Sequence, residues 1–274
     1  MTSEPKYISF CAMDLEHVRN VGIAAAYDAG GFLRSCLGNL TSIGKKGAID
    51  LVTEADLGAE ERILQTIRSR FPDHAILAEE SGETAGESPC QWVIDPLDGT
   101  TNFAHQIPIF AVSIAFRHRN ETVVGVVLNP MSGELYTAIK GQGALLNGRP
   151  IHVSGSRAVS ESLLVTGFPY DFDRIIDSVM GRFRSCLRAS RGVRRLGAAA
   201  LDLCFVACGR FDGFWEENLK PWDTAAGMLI AAEAGGRVTD FNGKPFEVQD
   251  REILATNGII HREMMSLLAL KEKK

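Results

Sequence analysis

Five acidic side chains stand where the sequence pattern predicts strand ends or helix starts: Asp50, Glu79, Asp95, Asp98 and Asp223. Gathered together, such anions repel one another, so a cluster of them is stable only when cations neutralise it. Oxygen-only ligands select hard ions, above all magnesium, which keeps several waters and usually meets phosphate as well. Two such ions, ~3.5 to 4 Å apart, can serve the attacking and the leaving oxygen of an in-line displacement at phosphorus.

The densest part of this set is "VIDPLDGTTNF", residues 93 to 103. Asp95 is expected to end the strand "WVI", Pro96 to fix the exit and Asp98 to follow one turn on. Gly99, Thr100 and Thr101 would then open a helix, where free main-chain N–H groups and the helix dipole favour an anion such as phosphate. The plainer reading is an acidic turn that caps a helix, since Asp, Pro and Gly are all turn residues. Asp223 in "KPWDTAAGM" has the same alternative as an ordinary N-cap, and Glu79 with Glu80 in "LAEESGE" reads equally as a solvated loop edge.

The elements that must position these acids can be read from periodicity. Val18, Val21, Ala25, Phe32 and Leu33 recur at helical intervals between Leu15 and Leu37, with Gly30 and Gly31 as interruptions. "DLVTEADLGAEERILQTIRSRF" gives a short extended start and then an amphipathic helix through Leu57, Ile63, Leu64 and Ile67, ended by Phe71-Pro72. "AILAEE" and "QWVID" read as short buried strands that deliver carboxylates at their ends. Residues 110 to 151 alternate apolar and polar between turn signals, the pattern of an antiparallel meander. After about residue 153 the order becomes strand, helix, strand: "ESLLVTGF", a helix from Asp173 to Leu187, "VRRLG", a helix from Ala198 to Cys208, "FDGFWEE", and a helix from Asp223 to Ala234 closing on Gly235-Gly236. The expectation is an α/β protein with a helix-plus-sheet half over residues 1 to 150 and a second α/β half over 151 to 274.

Composition narrows the function classes. The 274 residues are 45% hydrophobic and 23% charged, ordinary globular values. The net charge of −5 provides no field that would gather nucleic acid or an anionic membrane, so a phosphorylated partner must be met by a local device. No basic stretch leads into an apolar segment at the N-terminus, and no apolar run reaches the ~18 residues of a membrane span. Six cysteines without a CxxC pair read as reduced, packed thiols, and six scattered histidines offer no zinc spacing. The expected setting is cytoplasmic.

Four segments together resemble the inositol monophosphatase family of magnesium-dependent, lithium-sensitive sugar phosphatases. They are "DLVTEAD" (50 to 56), "AEESGE" (78 to 83), "WVIDPLDGTTNFAHQIPIFAVSIAF" (92 to 116) and "WDTAAGMLIAAEAGG" (222 to 236), and the likeness runs from about residue 15 to 258. The resemblance implies a layered α/β/α/β/α sandwich, commonly a homodimer, with the metal site between the halves. It places Glu79, Asp95 and the main-chain carbonyl of Leu97 on one magnesium, and Asp95, Asp98 and Asp223 on a second. A third, weaker ion would lie near Glu79, largely through water. It gives Asp98, Gly99 and Thr100 to the phosphate, and lets Thr100 and the upstream Asp50 orient a metal-activated water that attacks phosphorus without a phosphoenzyme. Substrate hydroxyls would meet Glu216, Asp223 and the stretch Gly197-Ala198-Ala199. Many members carry Ser or Thr where this chain has Ala198, which weakens the case for myo-inositol phosphate against other polyol phosphates.

Other features carry their own alternatives. Arg182, Arg184, Arg188, Arg191, Arg194 and Arg195 form an acid-free run that reads as a solvated face, a second phosphate subsite or a docking patch for an acidic partner. Phe211, Phe214 and Trp215 read as core or as the mouth of the substrate site, and "CFVAC" as a buried helix face. The leading function is therefore hydrolysis of an inositol, sugar or polyol monophosphate. Fructose-1,6-bisphosphate, 3′-phosphoadenosine 5′-phosphate and histidinol phosphate are superfamily alternatives. A regulatory protein that keeps the fold and binds through its arginine face belongs to another class altogether.

Overall fold

The computed structural model describes residues 13–39, 43–45, 51–169 and 175–269. In the first part of the chain, α1 (Leu15–Cys36) leads to a short antiparallel pair, β1 (Ile43–Lys45) and β2 (Leu51–Thr53), and to α2 (Glu54–Arg68). Then follow β3 (Ala75–Ala78), β4 (Gly82–Thr84), β5 (Cys90–Asp98), α3 (Thr100–Ala104), β6 (Ala111–His118), β7 (Glu121–Asn129), β8 (Glu134–Ile139), β9 (Ala144–Leu146) and β10 (Arg149–Ile151). The second part runs β11 (Leu163–Thr166), α4 (Ile176–Ala189), β12 (Gly192–Arg194), α5 (Ala199–Ala207), β13 (Gly213–Glu217), α6 (Pro221–Glu233), β14 (Arg237–Thr239), β15 (Glu252–Thr256) and α7 (His261–Leu268).

An eight-stranded sheet takes the order β10-β9-β8-β7-β6-β5-β3-β4, antiparallel except where β3 runs parallel to β5. A five-stranded sheet takes the order β12-β11-β13-β15-β14, with β11 parallel to both its neighbours. Helices α1 and α2 cover one face of the large sheet, and α5 and α6 lie between its other face and the small sheet. Helices α4 and α7 cover the outer face of the small sheet. The result is the α/β/α/β/α sandwich that the resemblance implies.

Local sequence explains the elements that matter for the site. The Asp14 side chain accepts from the His17 N–H at 3.0 Å to start α1, whose buried face carries Val18, Val21, Ala25, Ala29 and Leu33. Gly30 does not interrupt this helix. A Cβ there would lie 2.9 Å from Leu128 Cδ2 and 3.1 Å from Pro130 Cβ, so the glycine lets the helix approach the sheet. On α2, Ile63, Leu64 and Ile67 are buried as the periodicity predicts, whereas Leu57 is 56% exposed and belongs to the outer face. Phe211, Phe214 and Trp215 are all core. Helix α4 begins at Ile176, and residues 173 and 174 of the predicted span lie outside the described residues.

Candidate metal and phosphate site

Strand β5 does not end at Asp95. It continues to Asp98 through an irregularity in which Asp95 pairs with Ser113 and Asp98 with Ala111. A strand with strict alternation would send residues three apart to opposite faces. The extra residue between them breaks that alternation, as a β-bulge does, and both carboxylates are buried at one end of the large sheet. Gly99 then turns the chain with φ +97°, and a Cβ there would meet Ile109 O at 3.0 Å and Gly197 O at 3.2 Å. Only glycine fits this corner. Helix α3 follows, and the amides of its first turn have no intrahelical acceptor.

Each predicted acid among the described residues finds a specific place. Glu79 follows β3, and its N–H donates to Ile94 O at 3.1 Å, which sets it beside Asp95. Asp95 Oδ1 accepts from the Leu97 N–H at 3.0 Å. Asp98 holds the first turn of α5, accepting from Ala199 N at 3.1 Å and Ala200 N at 2.7 Å. Asp223 is the third residue of α6 and not its N-cap: the helix begins at Pro221, and Asp223 Oδ2 reaches back to the Lys220 N–H at 2.7 Å.

Burial pushes the Asp95 carboxyl well above the usual carboxylate range, and the Glu79, Asp98 and Asp223 charges push it further, with a hydrogen bond to Glu79 that favours the neutral acid. Burial likewise raises Asp98 to about 7, against the pull of the Ala200 and Ala199 amides. It raises Asp223 to about 8, with Asp98 and Glu79 adding to the effect. These acids are thus crowded, desolvated and short of positive charge.

As they stand, no group of three or more His, Cys, Asp or Glu side chains among the described residues is closed into a ligand cage. Burial and crowding instead favour the neutral, protonated forms of Asp95, Asp98 and Asp223. Oxygen-only donors that repel one another in a dry setting suit a hard divalent cation, which would take the place of those protons. The donor set fits magnesium on that chemistry.

The geometry also shows what sequence reading missed. Asp56 accepts at Oδ1 from the Thr100 hydroxyl, 3.0 Å away, and at Oδ2 from the Thr53 N–H at 2.8 Å and the Thr53 hydroxyl at 2.6 Å. Burial raises its pKa, while the Thr53 and Thr100 bonds oppose the shift. Asp50 lies outside the described residues. Within "DLVTEAD" it is Asp56 that meets Thr100, and its signal was its place three residues after Thr53, which reads simply as a capping box. The Thr100 hydroxyl also lies 3.1 Å from Leu97 O, the carbonyl expected to face a metal.

Asn102 was missed as well. Its Nδ2 donates to Ile109 O at 2.7 Å and Leu196 O at 2.8 Å, tying α3 to the Gly197-Ala198-Ala199 stretch. The Ala199 amide in that stretch is already engaged by Asp98. Glu216 is buried against Gly167, where a Cβ would meet its Oε2 at 2.1 Å, and burial together with Asp223 raises its pKa well above the ordinary range. The arginine run divides. Arg182 is buried, bonded to Glu217 at 2.6 Å, Glu252 at 3.3 Å and Leu268 O at 3.0 Å, so it serves the fold. The other five arginines are exposed.

A two-sheet sandwich with buried acids at the large sheet's end, met by the first turns of α5 and α6, defines a class of layered α/β protein with an acid-lined site. A model of the inositol monophosphatase family matches residues 14–272. The chain is 48% identical over 271 residues to an inositol-1-monophosphatase of Synechocystis, covering 98% of this chain and 94% of that one. It is 44% identical over 250 residues to the Nus factor SuhB of Pseudomonas aeruginosa, covering 89% and 92%. Among solved structures, the extragenic suppressor protein suhB of Bartonella henselae superposes with a TM-score of 0.88 at 41% identity, over 92% of this chain and 98% of that one. The chain belongs to the inositol monophosphatase family, whose members are generally metal-dependent, and is accordingly a phosphoric monoester hydrolase acting on a phosphorylated substrate.

Proposed function

We propose that the chain is a magnesium-dependent phosphatase of an inositol monophosphate or a related sugar or polyol phosphate, working in the cytoplasm as a homodimer. The observation that carries this reading is the convergence of Glu79, Asp95, Asp98 and Asp223 beside the Asp56–Thr100 pair. The relative named inositol-1-monophosphatase supports the substrate class.

Glu79, Asp95 and Leu97 O would hold one ion, and Asp95, Asp98 and Asp223 a second, with a third and weaker ion near Glu79. Such ions acidify water and neutralise charge on the reacting phosphate when bound. Asp56 fixes the Thr100 hydroxyl as a donor toward itself, which leaves the Thr100 oxygen lone pairs to accept from and orient the attacking water. The role expected of Asp50 is one this geometry offers to Asp56. Gly99 and the first amides of α3 would receive the phosphate oxygens. Glu216, Gly197, Ala198 and Ala199 would face the substrate hydroxyls, with the Ala199 amide shared with Asp98.

Phosphate release from a panel of sugar, inositol and nucleotide phosphates, with and without magnesium and lithium, tests the reading. Magnesium-dependent release from inositol monophosphates that lithium suppresses is expected. Release confined to a bisphosphate or nucleotide would keep the site and move the substrate, and no release at all would overturn the reading.

A second role as a docking protein is favoured by one observation. Arg184 and Arg188 stand on α4 beside the exposed Ile176, Met180 and Leu187, and relatives carry the name Nus factor SuhB. Capture of a partner that depends on Arg184 and Arg188, together with Arg191, Arg194 and Arg195, but not on Asp95 would establish it.

A further inference from the structure

Glu60 lies one helical turn beyond Asp56 on α2, and it is 3% exposed. Its two carboxylate oxygens are both used. Oε2 accepts from the Glu80 N–H and Oε1 from the Ser81 N–H, each at 2.9 Å. These are the two amides that directly follow Glu79 in the hairpin between β3 and β4, whose register pairs Ala78 with Gly82. Gly82 has φ +75°, as the left-handed residue after a three-residue turn requires. Consecutive amides of such a turn form a concavity that accepts an anion, and here the anion is an internal side chain.

Glu79 is therefore held from both sides. Its own N–H is tied to Ile94 O, the carbonyl immediately before Asp95, and the amides after it are tied to Glu60. The Glu60 bonds fix the turn as it leaves β3, and so the backbone from which the Glu79 side chain projects. Positions 56 and 60 are neighbours on one helix face. The same turn of α2 thus sets Thr100 through Asp56 and Glu79 through Glu60.

We propose that Glu60 is a positioning residue for the metal site, acting through the Glu79-Glu80-Ser81 turn without touching metal or substrate. The inference rests on the metal reading given above. Groups that orient a ligand in this way typically alter metal affinity about 10- to 100-fold when changed. Glutamine at this position keeps the size of the side chain but replaces one accepting oxygen with an NH2 that faces an N–H.

The test is Mn2+ binding to the whole protein, followed by electron paramagnetic resonance, with thermal unfolding measured in parallel. Glu60→Gln is expected to weaken Mn2+ binding by about 10-fold or more. Glu60→Asp, which keeps the charge and shortens the reach, is expected to show a smaller loss and serves if the glutamine variant does not fold. Leu64→Ala, a core truncation on the same helix, should lower Tm and leave Mn2+ affinity within about twofold of wild type. Wild-type affinity in both Glu60 variants, with Tm lowered as in Leu64→Ala, would show that Glu60 serves the fold alone and overturn the inference. If the wild-type protein itself binds no Mn2+, the metal reading fails and the inference with it.

Discussion

At Asp95 a single side chain carries opposite consequences for stability and for activity. Its carboxyl is 2% exposed and crowded by Glu79, Asp98 and Asp223, so without metal it is a source of repulsion. Asp95→Asn keeps the oxygen that accepts from Leu97 N and removes the charge. Phosphate release should fall by about 10^3-fold or more, since several kcal/mol of charge stabilisation at the reacting phosphate goes with it. The metal-free protein should unfold at the same Tm or higher, and unaltered release would refute the site. Asp202 on α5 is a second case: it is 1% exposed, neither oxygen finds a partner among the described residues, and Glu216 and Asp98 add to the effect of burial on its pKa while Arg195 opposes it. A buried acid without a partner costs about 1 to 3 kcal/mol. Asp202→Leu, which removes both oxygens at a similar size, should therefore raise Tm, by about 2 to 4 °C for each kcal/mol recovered, and a lower Tm would show that the carboxylate is satisfied. The acids that chemistry demands, Glu79, Asp95, Asp98 and Asp223, were legible in the sequence because residue type and motif name them. Asp56, Glu60, Asn102 and Asp202 were not, because an acid or amide on an amphipathic helix looks the same whether it caps, supports or merely faces water.

Among the elements, α7 shows how a short helix can be sensitive to pH. Its first residue, His261, is buried between two threonines. The Thr239 hydroxyl donates to Asp240 O at 2.6 Å and so accepts from His261 Nε2, 2.9 Å away. Nδ1 faces the Thr256 hydroxyl, 2.9 Å away, which also accepts from Gly258 N at 3.1 Å. Burial, with Arg237 nearby, favours the neutral ring and pushes the pKa down to about 4, so that with Nε2 protonated Nδ1 accepts from the Thr256 hydroxyl. The folded state then binds fewer protons than the unfolded chain between about pH 4 and the ordinary histidine value of 6.5, so stability rises with pH across this window and is lost as pH falls through it. Between pH 7 and pH 5 the wild type should lose about 2 kcal/mol of stability relative to His261→Gln in urea titrations, since the buried acids of the site contribute equally to both. Parallel pH profiles for the two proteins would mean the ring is charged in the fold. Helix and strand order were readable from periodicity because most elements have one buried face. The run of β5 past Asp95 and the start of α6 at Pro221 were not, since a bulge and the first turn of a helix are set by what packs against them.

Over the whole molecule, the five layers explain why the second part of the chain completes the site. Helix α6 is packed against the large sheet and delivers Asp223 from its first turn, while α5 opens on Asp98. This arrangement was implied by family likeness and not by composition, because which faces meet across a sandwich depends on side chains far apart in sequence. Two glycines let the middle layer lie close. A Cβ at Gly125 of β7 would stand 2.7 Å from Ala226 O of α6, and one at Gly227 would stand 2.8 Å from Leu203 Cβ of α5. The atom facing Gly125 belongs to backbone and cannot swing aside. The thickness of the sandwich at this point therefore works as a gauge for the distance between acids on opposite sides of it. Gly125→Ala adds one methyl group against Ala226 O, one turn along α6 from Asp223, and drives α6 outward. A shift of about 1 Å can cost about 10^2-fold in rate, so this variant should keep all its ligands and lose turnover at saturating magnesium. In such a molecule the reach of Asp223 is measured out by a hydrogen atom where a side chain would have been.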